Sequence, residues 1–206
     1  LRDRDGGVVH PNAFLPTAER FGLMYEIDCW VIEHALKRLA RHQHKGCRPG
    51  LSLNLSGQTL ADKNLSGYIQ HLMTRYAIDP NSLIFELTET SAIANIDGAK
   101  RLIKELGSLG CKFALDDFGC GFSSFSHLKH LQVNYIKIDG MFVQGMVNDP
   151  IDQAMVRSMN DIAHSLGKQT IAEYVESLDQ LSLLQHYGTD LVQGYYLGRP
   201  SDHYLG

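Results

Sequence analysis

Two spacings of apolar residues alternate along the chain. Short runs rich in Leu, Ile, Val and Phe read as strands at residues 51–56, 83–89, 111–117, 135–139, 169–175 and 191–196. Between them, apolar positions recur at helical spacing. The region 17–44 reads as helical, with apolar positions such as Phe21, Ile27, Trp30, Ile32, Leu36 and Leu39 and with Gly22 as an interruption that divides it in two. Further helices are predicted over 60–76, over 96–109 closed by Gly110, near 123–131, over 151–166 closed by Gly167, and over 178–187 followed by Gly188. Residues 1–16 read as irregular, punctuated by Gly6, Gly7, Pro11 and Pro16, and Asp79-Pro-Asn81 reads as a turn. No linker, low-complexity tract or charge run breaks the series, so residues 1–206 are expected to form one domain.

Strand and helix in regular alternation mean an α/β fold: a parallel sheet covered by helices, either doubly wound or closed as a barrel. The polar residues choose between the two. Near the carboxyl end of each strand sits a polar residue in apolar context: Asn54; Glu86 and Glu89; Asp116 and Asp117; Lys137 and Asp139; Glu173; Gln193. In a (β/α)₈ barrel these ends converge on one face, whereas in an open sheet they spread along an edge. Convergence favours the barrel. Such barrels run to roughly 250 residues, so a chain of 206 residues is expected to be short at one end.

Composition narrows the setting. A chain that is 44% hydrophobic and 20% charged can build a substantial core. A net charge of −4 without blocks of like charge gives no footing for a nucleic-acid polymer or a membrane surface. No apolar run approaches the roughly 18 residues of a membrane span, and the first residues do not read as a signal peptide. Cys29, Cys47, Cys111 and Cys120 contain no C-x-x-C pair and read as reduced thiols, so a cytoplasmic domain without membrane contact is expected.

The chemistry centres on Asp116-Asp117, which end an apolar strand and precede a glycine-punctuated turn. Buried carboxylates need a cationic partner. Carboxylates with a carboxamide suit hard cations, Mg²⁺ or Mn²⁺ and also Ca²⁺, rather than zinc, and adjacent aspartates can bridge two ions for phosphoester hydrolysis. Lys137 could hold a nucleophilic water, neutralise a phosphate, or simply snorkel to solvent. Any single Asp or Glu at a strand end is more often a helix cap or turn residue than a ligand. His127 and His130 share a helix face and read as solvated. The joint pattern carries the argument.

The pattern resembles the EAL-domain family of cyclic-di-GMP phosphodiesterases. The likeness rests on Asn54-Leu-Ser56, Glu86-Leu-Thr-Glu89, Asp116-Asp-Phe-Gly119, Lys137-Ile-Asp139, Glu173-Tyr-Val-Glu176 and Gln193-Gly-Tyr195, in that order and spacing. The resemblance implies a TIM-like barrel with one antiparallel strand and hydrolysis of cyclic di-GMP to linear pGpG with two Mg²⁺ or Mn²⁺ ions. It implies Asn54, Glu86, Asp116 and Asp117 as metal ligands, Lys137 and Glu173 as catalytic residues, and Glu89 as anchor of the loop after Asp117. Gln193, Asp139 and Glu176 are then expected to line the site. Homodimerisation and GGDEF or sensor domains in the same protein are also implied.

Three departures stand out. The name-giving Glu-Ala-Leu of the first strand is absent, so that strand is expected to be truncated. Tyr174 replaces the commoner glycine, and Cys120 and Phe122 stand where Thr and Tyr are frequent. Cys120 would make its loop oxidation-sensitive if its thiolate were favoured. The missing glutamate motivates an alternative, a non-catalytic receptor for cyclic di-GMP. An unrelated Mg²⁺-dependent barrel of the enolase type requires the motif order to be coincidence.

Overall fold

The computed structural model of the chain describes residue 2 and residues 5–43, 49–120 and 128–201. The helix expected near 123–131 lies largely outside these residues, as do Cys47, Phe122 and His127. In chain order the elements are α1 (Pro11–Arg20), α2 (Met24–Gln43), β1 (Leu51–Leu55), α3 (Gly57–Ala61), α4 (Leu65–Tyr76), β2 (Leu83–Thr88), α5 (Glu89–Ala94) and α6 (Ile96–Gly107). Then follow β3 (Lys112–Phe118), β4 (Tyr135–Ile138), α7 (Gly140–Gly145), α8 (Pro150–Ser165), β5 (Gln169–Ala172), α9 (Leu178–His186) and β6 (Leu191–Val192).

The six strands lie side by side in chain order, and every neighbouring pair is parallel. A doubly wound sheet must reverse its strand order at a switch point. This sheet never reverses, so it winds in one sense as a barrel wall does. The antiparallel strand is not among the described strands; an isolated antiparallel bridge joins Arg2 to Val8. Strands β2 and β4 are buried almost throughout, the mark of a parallel sheet covered on both faces, while β1 and β6 at the two ends of the order are partly exposed. Among the described residues no helix is long and apolar enough to cross a membrane.

Several local readings change: the strands expected over 169–175 and 191–196 end at Ala172 and Val192, and three helix starts differ. Residues 11–16 are helical, because Pro11 occupies the first turn of α1, where a proline lacks nothing the helix needs. The tail of the strand expected to reach residue 89 turns instead into α5, since the Thr88 hydroxyl accepts from Ser91 N–H and starts a helix at Glu89. The helix expected over 60–76 is two, with α3 capped by Ser56. Buried Asp28 on α2 braces that cap, accepting from Ser56 N–H at 2.8 Å and from the Thr59 hydroxyl at 2.6 Å.

The amino ends of the later strands are pinned by polar groups that sequence reading passed over. Buried Lys168 donates to the carbonyls of Leu131 and Val133 at 2.8 and 3.1 Å, and burial lowers its pKa. The fully buried Thr170 hydroxyl meets Asn160 Oδ1 and Asp190 Oδ2, and Asp190 also accepts from Thr170 N–H and pairs with His164 Nε2, both at 2.8 Å. Partial burial opposes the Asp190 charge, but the bonds from His164 and Thr170 outweigh it and hold its carboxyl below the ordinary range. Removing the shared hydroxyl leaves polar atoms unpaired inside the fold. Thr170→Val is expected to destabilise the chain by about 1–3 kcal/mol, read as a lower urea midpoint at unchanged slope; an unaltered midpoint contradicts this.

Candidate active site

At the carboxyl ends of the strands lies a cavity of about 490 Å³ lined by Asn54, Glu86, Asp116, Asp117, Lys137, Asp139, Glu173 and Gln193, with Gly140, Met141, Gln144 and Tyr174. All six strands contribute, from within or from the residue just beyond their last one. Asn54 on β1 stands opposite Glu86 on β2 in the parallel register.

Buried Lys137 organises the interior. Its Nζ lies 2.7 Å from Glu86 Oε2, 2.9 Å from Asp116 Oδ1 and 2.8 Å from Glu173 Oε1. An ammonium has three N–H bonds, and all three are used. At 3% exposure this lysine does not snorkel. Burial alone would push its pKa down, but the three carboxylates outweigh burial and raise it above the ordinary lysine value. Burial also pushes Glu173 up, and Lys137 only partly offsets this.

How both aspartates reach the same cavity is a matter of register. Successive strand residues normally face opposite sides of a sheet. Here Leu115 pairs with Ile136 and Phe118 with Ile138, so Asp116 and Asp117 together stand opposite the single residue Lys137. That is a β-bulge, and it turns both carboxylates to one side. Asp117 takes φ 54°, left-handed for a non-glycine residue, as does Tyr174 at φ 54°; such a backbone costs about 1–2 kcal/mol at each site. Desolvation inside the cavity and the charges of Asp116 and Asp139 push the Asp117 carboxyl above its ordinary range.

The remaining expected site residues divide. Asp139 lines the cavity but is also a helix cap, its Oδ1 accepting from Met141 N–H at 2.7 Å at the start of α7. Buried Glu89 is not part of the lining and reaches the turn after Asp117, where Oε2 accepts a long 3.5 Å bond from Gly119 N–H. Glu176 is exposed and outside the lining; the chain turns away there because its N–H is taken by Gln180 Oε1. Gln180 also donates to the carbonyl of Val143 at 3.1 Å and so ties α9 to α7. The oxidation-sensitive thiolate does not materialise. Burial, a bond to Asp139 and the nearby carboxylates push Cys120 up to about 12, and its sulfur contacts Met141 Sδ at 3.3 Å.

The charge balance of the lining is five carboxylates (Glu86, Asp116, Asp117, Asp139, Glu173) against one ammonium. Such a cavity attracts cations and repels an anionic diester unless cations accompany it. Asp116, Asp117 and Glu173 each offer an oxygen within 4.8 Å of the others, and among the described residues neither histidine nor cysteine lines the cavity. The donor set fits a hard divalent cation.

Residues 1–200 match the family model described as EAL domain. The chain is 40% identical to the probable cyclic di-GMP phosphodiesterase PdeA of Escherichia coli, over 95% of this chain and 27% of PdeA. It is 39% identical to the cyclic di-GMP phosphodiesterase PdeB of Shewanella oneidensis, over 97% of this chain and 23% of PdeB. The chain therefore spans about a quarter of the length of these curated relatives. Among solved structures, the FimX EAL domain from Pseudomonas aeruginosa bound to c-di-GMP superposes with a TM-score of 0.89 at 36% identity, covering 98% of this chain and 81% of that one.

The raised Asp117 pKa fixes a sign. A carboxyl whose pKa is higher folded than unfolded is neutral in both states at low pH, and its ionisation weakens the fold as pH rises through its folded value. Asp117→Asn is expected to raise the melting temperature in chelator at neutral pH, with the gain shrinking as pH falls below the carboxylate range. Asparagine also tolerates left-handed backbone, so the pH-dependent part of the gain is the readout. A gain that does not change with pH contradicts the charge assignment.

Proposed function

The chain belongs to the EAL domain family, and from that membership we propose that residues 1–206 are one phosphodiesterase domain of a longer protein, hydrolysing cyclic di-GMP to linear pGpG. The observation that carries the reading is the single cavity holding Asn54, five carboxylates and Lys137. We assign Asn54, Glu86, Asp116 and Asp117 to the holding of two Mg²⁺ or Mn²⁺ ions. When bound, such ions supply Lewis acidity and lower the pKa of water.

The chain's own residues supply the rest. Lys137 stays protonated, so it serves as a fixed donor and not as a base. It holds the carboxylates of Glu86, Asp116 and Glu173 in one arrangement and can donate to a water or phosphate oxygen once a carboxylate turns to a metal. Glu173, whose pKa burial raises, is assigned the role of proton acceptor. Gln193 and Asn54, uncharged and exposed, add hydrogen-bonding capacity without more negative charge. Glu89 steadies the turn after Asp117 through Gly119.

The presence of Glu86, Asp116, Asp117 and Glu173 together in one cavity favours turnover over ligand sensing alone. A homodimer, a GGDEF or sensor domain elsewhere in the same protein, and a cytoplasmic setting belong to this proposal. The expectation of further domains rests on the chain's matching only about a quarter of each relative's length.

The test is chromatographic detection of linear dinucleotide from cyclic di-GMP with Mn²⁺, using the full-length parent protein. Turnover is expected. Asp116→Ala is expected to abolish it, and Glu173→Gln to lower kcat by about 10²–10⁴-fold. Full activity of Asp116→Ala, or tight binding with no product from the wild type, overturns the assignment.

A further inference from the structure

Building on the phosphodiesterase reading, we propose that Tyr174 is a stacking platform for a purine base of the substrate, a substrate-binding residue placed by the backbone of the site itself. The acids and Lys137 address the phosphate and its cations. None of them offers a surface to the flat, weakly polar base that a nucleotide diester also brings.

The lining does contain such a surface. Tyr174 directly follows Glu173 of the Lys137 cluster, lines the same cavity, and is 57% exposed. Its ring rests on Gly140, where a Cβ would come within 2.2 Å of Tyr174 Cδ2. The glycine at the start of α7 therefore leaves room for the ring to come close to the helix end. Met141, next in sequence and 59% exposed, extends this apolar lip.

The placement is imposed and cannot relax. Tyr174 holds φ 54°, a conformation a tyrosine rarely adopts. On one side Glu173 N–H donates to the Ile138 carbonyl at 3.2 Å. On the other, Val175 N–H donates to the Gln193 carbonyl, and Tyr196 N–H to the Val175 carbonyl, both at 3.0 Å. Val175 is fully buried, and a Cβ on Gly194 would come within 2.2 Å of its backbone nitrogen. Glycine would be the unstrained choice at position 174. Strain of this kind clusters at ligand-binding sites. The aromatic side chain of a residue more than half exposed beside a phosphodiester site is suited to stack a base, because every base presents a π-face.

The experiment compares steady-state hydrolysis of cyclic di-GMP with Mn²⁺ by the parent protein and its Tyr174→Gly and Tyr174→Phe variants. Tyr174→Gly is expected to raise KM about 5–150-fold with kcat little changed, while Tyr174→Phe stays near wild type. Because Tyr174→Gly also relieves the left-handed backbone, its melting temperature is expected to match or exceed the wild type, which separates lost stacking from lost folding. An unchanged KM in Tyr174→Gly overturns the platform. Absence of turnover by the wild type defeats the phosphodiesterase reading instead. Equilibrium binding of cyclic di-GMP then decides: weaker binding by Tyr174→Gly supports the platform, and equal affinity, or no binding by the wild type, overturns it.

Discussion

Everything at the working end of this fold depends on one buried ammonium. Lys137 Nζ touches carboxylates delivered by β2, by β3 and by the segment after β5, all within 3 Å. Each partner would be untenable alone. A lysine this buried would lose its proton without anions, and carboxylates this close would repel one another without a cation. The cluster therefore stitches neighbouring strands together at the end where loops replace hydrogen-bonded sheet. It also keeps the oxygens gathered and aimed inward, which is what a divalent cation needs from its ligands.

The two ends of the sheet do different work. At the amino ends, Lys168 caps carbonyls and the Thr170, Asn160, Asp190 and His164 network is satisfied and stabilising. At the carboxyl ends the structure holds a bulge, two non-glycine residues in left-handed backbone, and a carboxyl whose pKa is raised by its neighbours. Strain and unbalanced charge of this kind persist only where the surrounding structure over-determines them. The pinned amino ends and a continuous apolar core through Phe85, Phe113 and Ile136 supply that support.

Much of this was legible in the residues. Apolar runs located all six strands, and polar residues at their ends located the cavity, because a charge placed where an apolar strand leaves the core has few places to go but a shared site. What sequence hid was conformation and partnership. Asp116-Asp117 announced two carboxylates, but alternation would have sent them to opposite faces; only the bulge opposite Lys137 brings them together. Asp139 and Glu176 look equivalent in sequence, yet one caps a helix inside the cavity and the other is led away by Gln180. Asp28, Lys168 and Gln180 gave no signal, since a polar residue on an apolar stripe reveals neither its burial nor its partners. Helix α5 was missed because a capping threonine at the end of a strand reads as one more β-branched residue.

The central claim is that Lys137 is the internal counter-ion of the carboxylate cluster, and that a divalent cation can take over that duty. The most direct measurement is the thermal unfolding of Lys137→Met beside the wild type, in chelator and then with Mg²⁺ or Mn²⁺ added. In chelator the variant is predicted to lose about 3–5 kcal/mol, the usual consequence of stripping one partner from a buried ion cluster. Added cation is predicted to restore much of that loss and to stabilise the variant more than the wild type. A variant as stable as the wild type in chelator, with no larger response to cation, would contradict the account.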